Sequence, residues 1–126
     1  TVTGAELKAV LEHGVSNVGR TDGTGRFPQV AGLTYTYNPA NPAGSRIVTI
    51  ATADAKGQFS PLTPNADYRI AISDFLFRGG DGYTMFHKNG RDVENDGLAT
   101  ADLVASWLRA HNPLHLELDG RIAVAR

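Results

Sequence analysis

Three glycines in four positions, Gly79, Gly80 and Gly82 around Asp81, limit what this chain can fold into more than any other stretch. Glycine takes positive φ as readily as negative and lets another group approach the backbone without meeting a Cβ. The run therefore predicts a turn with open backbone. Phe75 stands six residues ahead of Asp81, across that turn. An aromatic ring stacks on a nucleobase whatever its edge, and a carboxylate accepts hydrogen bonds from two ribose hydroxyls at once. Taken alone, the run has two readings: a surface that holds a nucleoside, or a plain hairpin turn at Asp81-Gly82 with Phe75 in the core.

A chain of 126 residues with 41% hydrophobic content has room for one domain, which at this size buries about two-thirds of the surface its unfolded form exposes. Residues 1–126 are accordingly read as a single domain. Twelve basic against thirteen acidic residues leave a net charge of -1, so no long-range positive field holds a nucleic acid polymer by its phosphates. A small nucleotide remains compatible with that balance. Cysteine is absent, which excludes a disulfide framework and thiolate metal sites. No apolar run approaches the ~20 residues of a membrane helix, and the first residues lack the basic start and apolar stretch of a signal peptide.

Thr3-Gly4-Ala5-Glu6 predicts a helix start, with Thr3 as N-cap and Glu6 completing a capping box, and Leu7, Val10 and Leu11 on one face up to an end near Gly14. Ser16 to Gly25 predicts a solvated loop that includes Asp22. Val30 to Tyr37 and Arg46 to Thr52 are rich in β-branched and aromatic residues and predict strands, joined by the proline-containing loop Asn38 to Gly44. Asp54 to Asn65 reads as loop. Tyr68 to Ser73 alternates as a strand that delivers Phe75 at its C-terminal end. Phe86 to Gly97 is polar and loop-like. Thr100 is expected to cap a second helix with Leu103, Val104, Trp107 and Leu108 as its apolar stripe, stopped by Asn112-Pro113. Leu114 to Leu118 and Arg121 to Ala125 are expected to pair across Asp119-Gly120. Helices and strands interleave without a regular βαβ period, so the expected class is α+β.

Several kinds of chemistry lack their residues. His13, His87, His111 and His115 are scattered, and Pro113 breaks the helix that would align His111 with His115. Asp92 to Gly97 begins like a calcium loop, but its twelfth position is Leu103 where such a loop requires a bidentate glutamate. No G-x-S-x-G supports a serine nucleophile.

A second segment changes the weight of the glycine run. Gly25-Arg26-Phe27-Pro28-Gln29-Val30-Ala31-Gly32 is followed by Tyr35-x-Tyr37, by Gly44-Ser45-Arg46-Ile47-Val48, by Asp74-Phe75-Leu76 with Gly79-Gly80-Asp81-Gly82-Tyr83, and by Gly120-Arg121-Ile122. In kind and order these blocks resemble the C-terminal domain of the 5'-nucleotidase and UDP-sugar hydrolase family. The resemblance runs from about Val2 to near the end. It implies a layered sandwich of helices and mixed β-sheets, truncated at its N-terminal side. It also implies that Phe27 and Phe75 clamp a nucleobase from opposite faces and that Asp81 binds the ribose hydroxyls. Gln29 is a further candidate for an amide hydrogen bond near the base, and Gly57 for a backbone contact to it.

The family binds phosphate through arginines, whose planar fork matches phosphate oxygens. One of these precedes the helix that matches Gly4 to Gly14, where this chain has Thr3; Arg26 and Arg78 flank the proposed clamp. Catalysis in the family belongs to an N-terminal metallophosphoesterase domain with two divalent metal ions, and nothing in this chain matches it, so neither a cofactor nor a catalytic residue is expected here. The function implied is that of a nucleotide- or nucleoside-binding specificity domain of a periplasmic, secreted or cell-wall-associated phosphohydrolase, inactive by itself. The alternatives are a stand-alone nucleoside-binding module and a family member acting on cyclic nucleotides or UDP-sugars.

Overall fold

The first helix is set by the backbone groups its opening residues satisfy. In the computed structural model, which describes residues 1–21 and 25–125, Val2–Thr3 is a short strand β1 and Gly4–Gly14 is helix α1. Thr3 Oγ1 accepts from the Glu6 N–H at 3.2 Å, and Glu6 Oε2 accepts from the Thr3 N–H at 2.7 Å, the reciprocal box expected from sequence. The free N–H groups of Gly4 and Ala5 donate to the Ala66 and Pro64 carbonyls, so the helix start is docked on a loop. The loop expected over Ser16 to Gly25 lies partly outside the described residues, Asp22 included.

Two central strands follow, β2 (Leu33–Tyr37) and β3 (Ile47–Ala53), antiparallel with a bulge between Thr36 and Tyr37. β4 (Phe59–Pro61) adds to β3 inside the stretch expected to be loop, because Ala51 to Ala53 still has an open edge to pair. β5 (Asp67–Tyr68) pairs with β1 in a separate two-stranded sheet. The strand expected to run on to Ser73 ends early: the Ser73 hydroxyl accepts from the Leu76 N–H at 3.4 Å and turns the chain into a one-turn helix, α2 (Asp74–Phe77). Phe75 is therefore on a helix and not at a strand end.

Gly80–Gly82 forms a 3₁₀ turn, and α3 (Thr84–Asn89) replaces the start of the expected polar loop, because burial of Phe86 gives this short segment an apolar side. Helix α4 (Thr100–Ala110) is capped by Ala99, with Thr100 as its first residue and no side-chain cap. Its stripe of Leu103, Val104, Trp107 and Leu108 is present, and none of its residues is buried. The expected C-terminal hairpin is absent among the described residues. Asp119 spends its carboxylate on Arg121, accepting from its backbone N–H at 3.1 Å and its Nε at 2.6 Å. Ile122–Val124, strand β6, runs parallel to β2 on the edge that β3 leaves open. The larger sheet is thus ordered β4-β3-β2-β6, mixed in direction, and the fold is α+β.

Helix α1 joins two cores. Leu11 and Val15 pack on Tyr35, Tyr37 and Ile47 of the sheet, while Val10 packs on Tyr83 and Phe86. Between them sits Glu12, 7% exposed, whose two carboxylate oxygens accept from the N–H groups of Arg46 (2.8 Å) and Ile47 (3.0 Å). Among the described residues no helix is long and apolar enough to cross a membrane.

Each buried N–H stripped of its acceptor costs about 1–3 kcal/mol. Glu12→Ala is therefore expected to lower the unfolding free energy by roughly 2–5 kcal/mol in urea titration, with Glu12→Gln intermediate because it keeps one acceptor. Three carboxylates link stability to acid. The Thr3 N–H and hydroxyl hold the Glu6 carboxyl below its ordinary 4.5, the Arg91 guanidinium lowers Asp67, and Arg121 lowers Asp119 to about 2. Carboxyl values depressed by folding add stability above the ordinary values, and that stability is lost as pH falls through the folded ones. Urea midpoints should therefore drop from about pH 4.5 downward, and the drop should be shallower in Glu6→Gln.

Candidate functional site

The segment carrying Phe27 is held by two tyrosine hydroxyls. Tyr83 donates to the Arg26 carbonyl at 2.5 Å and Tyr35 to the Pro28 carbonyl at 3.2 Å. Burial raises the Tyr35 hydroxyl well above its ordinary value; burial, and after it the negative charge of Asp81, pushes Tyr83 up to about 12. Both stay protonated as donors across neutral and moderately alkaline pH. Phe27 is half-buried, its ring edge-on to Tyr37 at 5.7 Å. Gly14, near the end of α1, makes this packing possible: a Cβ there would stand 2.5 Å from Pro28 Cδ and 2.8 Å from the Tyr83 hydroxyl.

Phe75 is 56% exposed, and its ring lies over Gly80, where an added Cβ would come within 2.4–2.6 Å of three ring carbons. The glycine run thus works in two ways. Gly79 and Gly82 take φ of 96° and 83° as the turn requires, while Gly80 has an ordinary φ and is needed for the ring's close approach. Asp81 is itself left-handed, at φ 53° and ψ 19°, a conformation aspartate tolerates better than most residues. Its carboxylate is exposed and joins no hydrogen bond or ion pair among the described residues. His13 Nε2, from α1, lies 2.9 Å from the Asp81 carbonyl.

The structure therefore brings Phe75 and Asp81 together on one turn and ties the neighbour of Phe27 to Tyr83, two residues beyond Asp81. Gln29 is exposed, and Gly57 closes the turn between β3 and β4 through its N–H to Asp54 O at 2.9 Å. Neither shares a hydrogen bond or ring contact with the other three among the described residues. Arg26 reaches Ser16 Oγ at 3.5 Å, and Arg78 approaches Asp74 at 3.7 Å in solvent. Thr3 is occupied as a helix cap. Among the described residues no three histidine, cysteine, aspartate or glutamate side chains converge as a metal site.

Sequence reasoning missed the supports of this site. Tyr83 closes the glycine block and Tyr35 belongs to the Tyr35-x-Tyr37 pair, so both were visible as pattern, but their hydroxyl partners lie 57 and 7 residues away. His13 left no signal beyond being a histidine near the end of an amphipathic helix.

Residues 1–88 match the family of 5'-nucleotidase C-terminal domains. The chain belongs to that family. It is 33% identical over 124 residues to the trifunctional nucleotide phosphoesterase protein YfkN of Bacillus subtilis, covering 96% of this chain and 8% of that protein. It is 34% identical over 124 residues to a 5'-nucleotidase of Diplobatis ommata, covering 96% and 21%. The solved 5'-nucleotidase precursor from Thermus thermophilus superposes with a TM-score of 0.89 at 36% identity, over 98% of this chain and 24% of that one. This chain thus spans less than a quarter of each of these relatives.

The contact between Phe75 and Gly80 is open to direct test. In Gly80→Ala the new methyl displaces the ring, which is exposed and free to swing, so the stability change should stay below about 1 kcal/mol. Proton NMR should show ring-current shifts on the Gly80 α-protons of the wild type and their loss from residue 80 in the variant.

Proposed function

We propose that this domain holds the nucleoside half of a nucleotide, with the base between Phe27 and Phe75 and the ribose hydroxyls on Asp81. The observation that carries the reading is the Phe75–Gly80–Asp81 turn. It pairs an exposed aromatic face with a carboxylate engaged by no other side chain among the described residues, two features that a purely structural turn does not need. Phe27 belongs to the same assembly through the hydrogen bond from Tyr83 to the Arg26 carbonyl. The similarity to proteins named nucleotide phosphoesterase and 5'-nucleotidase supports the same ligand class.

In this reading hydrolysis of the phosphate ester belongs to a separate N-terminal domain of the parent polypeptide that carries two divalent metal ions, and the chain by itself is inactive. This chain's residues bind and orient. Binding energy collected at the base and ribose then serves to position a distant reacting group. Stacking is indifferent to base identity, so the clamp accepts several nucleobases. The proposal includes an exported parent protein, in the periplasm, the cell wall or the medium.

A base stacked on one aromatic side chain contributes ~1 to 3 kcal/mol. In the parent enzyme, Phe75→Ala is therefore expected to raise KM for nucleoside monophosphates by roughly 10- to 100-fold. Hydrolysis of a small artificial ester such as p-nitrophenyl phosphate, which has no nucleoside, should stay at wild-type rate. Steady-state kinetics on both substrates checks this; an equal loss on both would count against the clamp.

A further inference from the structure

We propose that His13 is the positioning residue of the Asp81 turn, holding the peptide after Asp81 so that the Asp81 carboxylate stands where the ribose hydroxyls arrive. The inference rests on the ribose-binding reading of Asp81 and adds to it what fixes that carboxylate.

Asp81 sits between Gly80 and Gly82, and Gly79, Gly80 and Gly82 together give this turn wide backbone freedom. The bonds within the turn, from the Gly82 N–H to Gly79 O and from the Tyr83 N–H to Gly80 O, leave the Asp81 carbonyl unused. His13 Nε2 meets that carbonyl at 2.9 Å from a helix 68 residues earlier in the chain. A carbonyl oxygen only accepts, so Nε2 carries the proton and donates. The Tyr83 N–H on Gly80 O holds the peptide before Asp81, and His13 holds the one after it; together they fix the left-handed backbone of Asp81 at φ 53° and ψ 19° and the direction of its Cα–Cβ bond. The carboxylate then has only its own two side-chain torsions left to set.

His13 is itself confined. It lies one residue before the end of α1, and its ring meets Tyr83 edge-on with centroids 4.7 Å apart. A Cβ at residue 82 would come within 3.0 Å of His13 Cε1 and 3.1 Å of Nε2, so the glycine there leaves room for the ring. The histidine bonds to the backbone of Asp81 and not to its carboxylate, and it acts through that backbone.

The test compares Kd of the full-length parent protein for adenosine and for 2',3'-dideoxyadenosine, which keeps the base and lacks both hydroxyls. Asp81→Gly, a truncation that suits the positive φ, should raise Kd for adenosine by roughly 10-fold or more and leave the dideoxy compound unchanged. His13→Ala should show the same selective pattern at roughly 5-fold, because the carboxylate is still present but misplaced. His13→Gln, whose amide N–H reaches about as far as Nε2, should restore most of the loss, while His13→Phe, which keeps the ring packing, should not. If neither the wild type nor the contrast with Asp81→Gly distinguishes the two ligands, the ribose reading fails and this inference fails with it. If Asp81→Gly behaves as expected while His13→Ala and His13→Phe keep wild-type selectivity, or weaken both ligands equally, the positioning role alone is overturned.

Discussion

Glu12 and Arg46 exchange hydrogen bonds between the first helix and the central sheet, and the rest of the molecule is arranged around that exchange. The carboxylate of Glu12 accepts the backbone N–H groups of Arg46 and Ile47, where β3 begins. In return Arg46 Nη1 donates to the carbonyls of Val15, Ser16 and Val18 at 2.7–3.1 Å, just past the end of α1, and its Nε to Asn41 O. A helix end leaves carbonyls unpaired and a strand start leaves N–H groups unpaired. Here each side chain satisfies the other element's backbone. The pair fixes both the distance and the rotation of α1 against the sheet, which places Leu11 and Val15 on Tyr35 and Ile47.

Once α1 is fixed in this way, its other face becomes the platform of the site. Val10 supports Tyr83 and Phe86, Gly14 lets Pro28 and the Tyr83 hydroxyl approach, and His13 reaches the Asp81 carbonyl. The candidate site is made of short pieces, a one-turn helix, a 3₁₀ turn and an irregular strip around Phe27, none able to hold its shape alone. Their order comes from contacts with α1 and from Tyr83, which bonds to the strip at the Arg26 carbonyl while packing on His13 of α1 and Phe86 of α3.

What was legible in the sequence was local. The capping box of Thr3 and Glu6, the extent of α1 and the two central strands rest on residues a few positions apart, and the structure has them close to where the pattern puts them. What was not legible depended on partners far along the chain. β6 looked like half of a hairpin, yet Asp119 is taken by Arg121, while the Tyr35 N–H donates to Arg121 O and the Ala125 N–H to Tyr37 O, so the strand joins β2 in parallel. The Tyr68 to Ser73 alternation lost to the Ser73 cap, a local signal that competes with strand pairing. Glu12 read as a polar residue on an amphipathic helix; only the arrival of the β3 backbone explains its burial.

Side chains already committed to the fold also bear on which end of the proposed nucleotide ligand this surface suits. An arginine that recognises phosphate needs its fork free to face the ligand. Arg46 has given its donors to helix and loop carbonyls, Arg91 is paired with Asp67, Arg69 with Glu94, and Arg121 with Asp119 and the Val30 carbonyl. Near the Phe75–Asp81 turn, Arg78 is loosely paired with Asp74 and Arg26 leans on Ser16. The carboxylate of Asp81, by contrast, joins no hydrogen bond or ion pair among the described residues, and the face of Phe75 is open. The turn itself, an open ring beside a solvent-exposed carboxylate, suits aromatic and hydroxyl groups. The acceptor on the turn would repel a phosphate brought against it, so in the proposed binding mode a nucleotide with its sugar at Asp81 would be oriented by exclusion as well as by attraction, its anionic end directed away.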